Sequence, residues 1–219
     1  MSTLRFLKGH GTENDFVIVP DPDGAIELTA ADVVALCDRR AGLGADGVLR
    51  VVRSAKDPAA VHMAGEAEWF MDYRNSDGSI AEMCGNGARV FARYLVEHGE
   101  ASAGDLRIAT RGGVRAVHVP ADGGDVTVGM GPARLPGPDG IAVTLPDGSV
   151  YDAVHVNMGN PHAVVFVADL DDAGDLLTAP VLSPPTAYPE GANIEFVVDR
   201  APGHVAMRVH ERGSGETRS

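Results

Sequence analysis

The chain has 219 residues, 44% of them hydrophobic, and its 18 Lys and Arg against 31 Asp and Glu give a formal net charge of −13. That length allows one large domain or two of ordinary size, and such acidity argues against phosphate backbones and anionic lipid surfaces, so neither nucleic acid nor membrane is an expected partner. No N-terminal stretch has the roughly 7–15-residue apolar core of a signal peptide, and no run approaches the ~20 apolar residues of a membrane span, so a cytoplasmic protein is expected. Two cysteines, Cys37 and Cys84, are too few for a disulfide scaffold, and no Cys/His cluster has the spacing of a structural zinc site.

In chain order, Phe16 to Val19 is a short apolar run ended by Pro20, with a turn at Pro22 to Gly24. Thr29 followed by Asp32 predicts a capping box opening a helix; Val33, Leu36, Cys37 and Arg40 share one face, and Gly42 stands where a C-terminal cap belongs. Cys37 therefore reads as a packing residue. Gly47 to Arg53 and Glu68 to Tyr73 read as strands and Asn75 to Gly78 as a turn, while the helix after Cys84 turns Val90, Phe91, Tyr94 and Leu95 inward before Gly99. Further strands are predicted near Leu106 to Thr110, Val114 to Val119, Asp125 to Met130, Val154 to Met158, Ala163 to Val167, Ile194 to Val198 and Val205 to Val209. The Pro- and Gly-rich stretch 131–148 reads as an exposed connection or long hairpin near a domain boundary. Many short strands around few helices indicate an α+β architecture and argue against a doubly wound sheet. A GxGxxG fingerprint is absent, and Gly42-Leu43-Gly44 does not follow a strand, so no nucleotide site is expected.

The most informative stretch is Met83-Cys84-Gly85-Asn86-Gly87-Ala88-Arg89-Val90, which puts a thiol at a glycine-rich entry into a helix. Free backbone N–H groups and the positive end of the helix dipole favour the thiolate there, and the same N–H groups can hold a carboxylate. The bland alternative is a buried thiol packing as a small hydrophobe. Four other segments place Asn, Asp, His and Arg in turn-like settings: Gly11-Thr12-Glu13-Asn14-Asp15-Phe16, Asn75-Ser76-Asp77-Gly78-Ser79, Gly159-Asn160-Pro161-His162 and Glu211-Arg212-Gly213-Ser214-Gly215-Glu216-Thr217. Singly they are ordinary turn composition. Together they suggest loops converging on a small polar ligand.

These segments, in this order and with this spacing, resemble the diaminopimelate epimerases, and the resemblance runs through essentially the whole chain. It implies an α+β fold of two pseudo-symmetric halves, each a curved sheet around a central helix, with residues 1–120 carrying Cys84, residues 121–219 forming the second half, and substrate in the cleft between them. It also implies interconversion of LL- and meso-diaminopimelate, in the lysine and peptidoglycan pathway, with no cofactor, neither pyridoxal phosphate nor metal. The small-molecule substrate is the implied partner, and a homodimer is left open. Inverting an α-carbon means removing its proton from one face and returning one to the other, a task for two flanking acid/base groups. With no cofactor as electron sink, preorganised N–H groups must stabilise the carbanion-like transition state.

Carried over residue by residue, Cys84 matches the first catalytic thiol, with Gly85 and Asn86 as its substrate-binding neighbours. Asn14, Asn75, Asn160 and Asn193 match substrate-binding positions, Arg212 the carboxylate clamp, and His162 and Glu211 the pair that tunes the thiols. Gly47 departs from the pattern, since many family members carry Gln there. The second departure is larger: the family follows its ERGxGETxx segment immediately with Cys-Gly-Thr-Gly, whereas this sequence stops at Ser219. The expectation is a truncated form of a longer epimerase, through a stop or recoded selenocysteine codon or a cut in the chain, with the second half incomplete and half of a two-thiol site present. The alternatives are an inactive ligand-binding remnant of the same fold, or a proline/hydroxyproline racemase-like enzyme. Asn86, where those racemases typically carry His, and the ERGSGET segment argue against the latter.

Overall fold

In the computed structural model, which describes residues 4–137, 140–213 and 215–217, the chain forms two units, Met1–Gly131 and Pro132–Ser219. Ser214, Arg218 and Ser219, and with them part of the ERGSGET segment and the chain end, lie outside the described residues. The first unit is a seven-stranded sheet in sequence order: β1 (Leu7–Gly11), β2 (Asn14–Pro20), β3 (Gly47–Arg53), β4 (Trp69–Asn75), β5 (Gly104–Thr110), β6 (Gly113–Val119) and β7 (Thr127–Val128). β2 runs parallel to β3 and β4 to β5, and all other neighbours are antiparallel. Parallel neighbours require crossovers. These carry α1 (Ala30–Cys37) and α2 (Gly85–Glu97), which take opposite faces of the sheet. Phe16, Ile18, Leu49 and Met71 pack with Ala88, Phe91 and Leu95 of α2, whereas Val17, Val19 and Val48 pack with Val33 and Cys37 of α1. Covered on both sides, β2, β3 and β4 are buried along nearly their whole length, so their sequences are continuous apolar runs without alternation.

The capping box at the start of α1 forms as the sequence predicts, Thr29 accepting from the Asp32 N–H and Asp32 from the Thr29 N–H. The helix ends at Cys37, however, and Gly42 is not its cap. Asp38 is the reason: its carboxylate accepts from the Arg40 and Ala41 N–H groups and diverts them from the helix. Gly42 instead lies so close to the Ala35 carbonyl that an added Cβ would come within 2.0 Å of it.

The second unit has the strand order β11-β8-β9-β10-β12-β13-β14. These are β8 (Ile141–Thr144), β9 (Val150–Asn157), β10 (Pro161–Phe166), β11 (Val181–Ser183), β12 (Asn193–Ala201), β13 (His204–Glu211) and β14 (Gly215–Thr217). β10 is parallel to β12 and the other pairs are antiparallel. The pattern β1-β2-β3-β4, antiparallel then parallel then antiparallel, thus recurs as β9-β10-β12-β13. The β10–β12 crossover lies over a core of Ile141, Val143, Ala163, Val165, Ile194 and Phe196, to which it contributes Ala173, Leu176 and Tyr188. In unit 1 the face opposite the β2–β3 crossover carries α2. In unit 2 the opposite face exposes Val154, Phe166, Val205 and Met207, at 47%, 65%, 56% and 43%, and no α-helix covers it among the described residues. The two halves repeat one plan, and among the described residues a central helix lies over the first sheet only.

Four short strands, β1, β8, β11 and β14, are not among those predicted from the sequence. Each has five residues or fewer, and each is a strand because a longer neighbour supplies its partners. On the α1 side of unit 1, Asp72 is fully buried and binds Arg50, Arg74 and Arg111, while Arg50 also reaches Asp21 and Asp57. Burial alone would raise the Asp72 carboxyl; the charges of Arg111 and Arg74 outweigh it and hold the group below the ordinary carboxylate range. Asp72→Ala is expected to destabilise unit 1 by about 3–5 kcal/mol in urea unfolding, because it strands buried guanidinium groups. Since the folded-state pKa is the lower one, this contribution is fully present above about pH 4 and is lost as pH falls through the folded value. An Asp72→Asn variant should therefore show a shallower loss of stability below about pH 4 than the parent.

Candidate active site

Cys84 is the N-cap of α2. Its extended backbone, φ −141° and ψ 118°, turns the side chain back over the first turn, and Sγ accepts the Gly87 N–H at 3.3 Å. An N–H aimed at sulfur, together with the positive end of a 13-residue helix, stabilises negative charge on it. The fit around Gly87 is close: a Cβ there would sit 3.2 Å from Leu49 Cδ2 and in ordinary contact with the sulfur at 3.5 Å. Cys84 is half-buried and its Sγ lies 3.9 Å from Asn14 Oδ1. It is not sealed in the core. Cys37, by contrast, packs in the α1 cluster on the other face, where burial pushes its thiol up to about 11.

Asn14 is the first residue of β2 and is 2% exposed. Its Nδ2 donates to Asp46 Oδ2 at 2.9 Å, and because a carboxylate only accepts, the amide must present Oδ1 toward Cys84. Asp46 is itself held by Arg39 at 2.8 Å, and Arg39 and Lys8 both bind Asp15. Burial would raise Asp15, but the hydrogen bonds from Arg39 and Lys8 outweigh it and hold it at about 2. The loop that delivers Asn14 is strained: Thr12 and Glu13, the two residues between β1 and β2, have φ 53° and 67°. Gly11 then passes so near α2 that a Cβ would lie 3.2 Å from the Asn86 carbonyl.

Asn75 ends β4, and its Nδ2 donates to Ser79 Oγ at 2.9 Å. Gly85 and Asn86 are the first two residues of α2, and Asn86 Oδ1 accepts from Arg89 and, at 3.3 Å, from Thr12. Gly47 opens β3 with no room for a side chain, since a Cβ would meet the Arg74 carbonyl at 2.6 Å. The Gln that the resemblance leads one to expect here could not be placed without moving backbone.

In unit 2, His162 lies on β10 with Nε2 2.9 Å from Asn160 Oδ1 and Nδ1 2.6 Å from Glu195 Oε1. Sequence reasoning missed Glu195, although a lone carboxylate inside the apolar run Ile194 to Val198 was its signal. The nearby Tyr188, whose hydroxyl donates to the His162 carbonyl, is pushed up to about 12 by burial and by the negative charge of Glu195. Asn193 opens β12 and its Oδ1 accepts the Arg212 N–H at 3.0 Å, which leaves its Nδ2 as the donor to present. Glu211 ends β13 and Arg212 follows it, its Nη1 3.4 Å from the Glu190 carbonyl. In both units the singled-out side chains therefore gather at corresponding strand ends, the starts of β2 and β3 and the end of β4 in one, the starts of β10 and β12 and the end of β13 in the other.

A sheet curled on a central helix, with a cysteine at that helix's N-terminus, places the chain in a class of fold represented by solved structures of distant sequence. A hydroxyproline epimerase from Agrobacterium vitis superposes with a TM-score of 0.68 at 15% identity, covering 98% of this chain and 72% of that one. A probable proline racemase from Agrobacterium radiobacter gives 0.67 at 14% identity, covering 99% and 73%. In sequence, the family model described as diaminopimelate epimerase matches residues 6–136 and 154–219. The diaminopimelate epimerase of Streptomyces coelicolor is 68% identical over 100% of this chain and 75% of its own length, and that of Thermobifida fusca 54% identical over 99% and 78%. The chain belongs to the diaminopimelate epimerase family.

The two thiols should separate by reactivity. At pH 7.5 iodoacetamide is expected to modify Cys84 at least about tenfold faster than Cys37, read by peptide mass spectrometry, because only Cys84 is both accessible and supported by a helix N-terminus. Equal rates would contradict this.

Proposed function

We propose that this chain carries the proton-transfer chemistry of an epimerase acting at the α-carbon of diaminopimelate, between its LL and meso forms, in the supply of lysine and peptidoglycan precursors. The observation that carries the reading is the Cys84 sulfur at the start of α2, which accepts the Gly87 N–H and, as a thiol, donates to Asn14 Oδ1. As a thiolate, Cys84 takes the α-proton, an S–H bond forms, the C–H pair stays on the substrate, and the negative charge spreads onto the adjacent carboxylate. The N–H groups of Gly85 and Asn86, in the first turn of α2, are the donors suited to that carboxylate. Asn14 and Asn75 in unit 1, and Asn160, Asn193 and Arg212 in unit 2, bind the substrate's remaining polar groups, Arg212 as a planar fork for a carboxylate. His162 and Glu211 complete the catalytic set as the pair that tunes the thiols. The chemistry needs no cofactor, and the setting is cytoplasmic. No helix among the described residues is long and apolar enough to cross a membrane.

Inversion needs a second acid/base group on the other face of the carbon, and Cys37, buried behind the sheet with its thiol pushed up to about 11, does not qualify. The 219-residue chain, incubated with LL-diaminopimelate in deuterated water, is expected to exchange the α-proton with retention, and Cys84→Ser to slow exchange by at least about 100-fold, the size of a lost acid/base group. Proton NMR and chiral chromatography read both. Exchange that survives Cys84→Ser, or no exchange in the parent chain, would overturn the proposal.

A further inference from the structure

Glu195 occupies β12 inside an apolar run, on the face of the sheet shared with His162, and is 7% exposed. A carboxylate buried this deeply persists only with a donor. The structure gives it one: Oε1 lies 2.6 Å from His162 Nδ1, while Oε2 is buried without a hydrogen-bond partner among the described residues. An ionised carboxylate can only accept, so a bare Nδ1 lone pair opposite it would be repelled and the proton belongs on Nδ1. The other ring nitrogen, bare in the neutral ring, faces the Asn160 amide at 2.9 Å and can only accept, so that amide must turn Nδ2 toward it and Oδ1 outward.

We propose that Glu195 is a positioning residue for His162: its carboxylate holds a proton on Nδ1, fixes the ring, and so decides which side-chain atom of Asn160 turns outward. The catalytic consequence rests on the reading that Asn160 and His162 serve the substrate, but the state of the ring does not. A metal-bound histidine is oriented by its outer partner in the same way, and here an amide stands in the place of the ion.

The test is a long-range proton–nitrogen NMR spectrum of the histidine rings in the full 219-residue chain at pH 8, with the His162 signals assigned by their loss in His162→Gln. The parent should show a protonated Nδ1. Glu195→Met, which keeps bulk but removes the acceptor, should move the ring to the Nε2–H form with a bare Nδ1, and Glu195→Gln, which keeps an acceptor oxygen, should restore Nδ1–H. An Nε2–H ring with bare Nδ1 in the parent, or an unchanged ring in a folded Glu195→Met protein, overturns the proposal; if that variant does not fold, the parent spectrum alone decides. Deuterium exchange failing beside a correct ring state would count against the epimerase reading and leave this one intact, and a wrong ring state beside normal exchange would do the reverse.

Discussion

The hydrogen bond from the Gly87 N–H to the Cys84 sulfur is the contact on which the arrangement of unit 1 turns. It is available because the chain ends β4, makes one tight turn at Asn75 to Ser79, and enters α2, whose first N–H groups have no partner within the helix. The helix is in turn fixed by its long apolar face, Ala88, Phe91 and Leu95, which has nowhere to go but the inner surface of the sheet. Packing therefore aims the cap, and the cap holds the sulfur.

Around that sulfur the polar side chains are not left to find their own orientation. Asn14 is turned by Asp46, Asp46 by Arg39, and Arg39 is shared with Asp15, so an ion network outside the sheet determines which atom of a buried amide meets the thiol. Unit 2 uses the same device with different parts: a backbone N–H orders Asn193, and a buried carboxylate sits behind His162. Preorganised dipoles of this kind suit a reaction in which charge must be stabilised without a cofactor, since they need not reorganise as it develops.

Much of this was legible from residue order. The capping box at Thr29, the apolar face after Cys84 and strands such as Gly47–Arg53 are local patterns, and they form where local patterns place them. What escaped depends on a pairing neighbour or a competing side chain that hydrophobic periodicity does not encode. Leu7–Gly11 is a strand only because Asn14–Pro20 lies beside it, and α1 stops at Cys37 because Asp38 competes for the next N–H groups. Glu195 escaped for a similar reason. Its position 33 residues from His162 has meaning only once β10 and β12 run parallel. The resemblance points to Glu211, and the parallel register sets a further carboxylate, Glu195, on the imidazole.

If the α-carbon of the substrate is held against Cys84, occupancy must shield the sulfur. The rate of Cys84 alkylation by iodoacetamide, measured by mass spectrometry with and without saturating LL-diaminopimelate, puts that directly to the test. The account predicts slowing of at least about tenfold, the size of effect expected when a bound ligand blocks access to a thiolate, with Cys37 unaffected. An unchanged Cys84 rate at saturating ligand would contradict it.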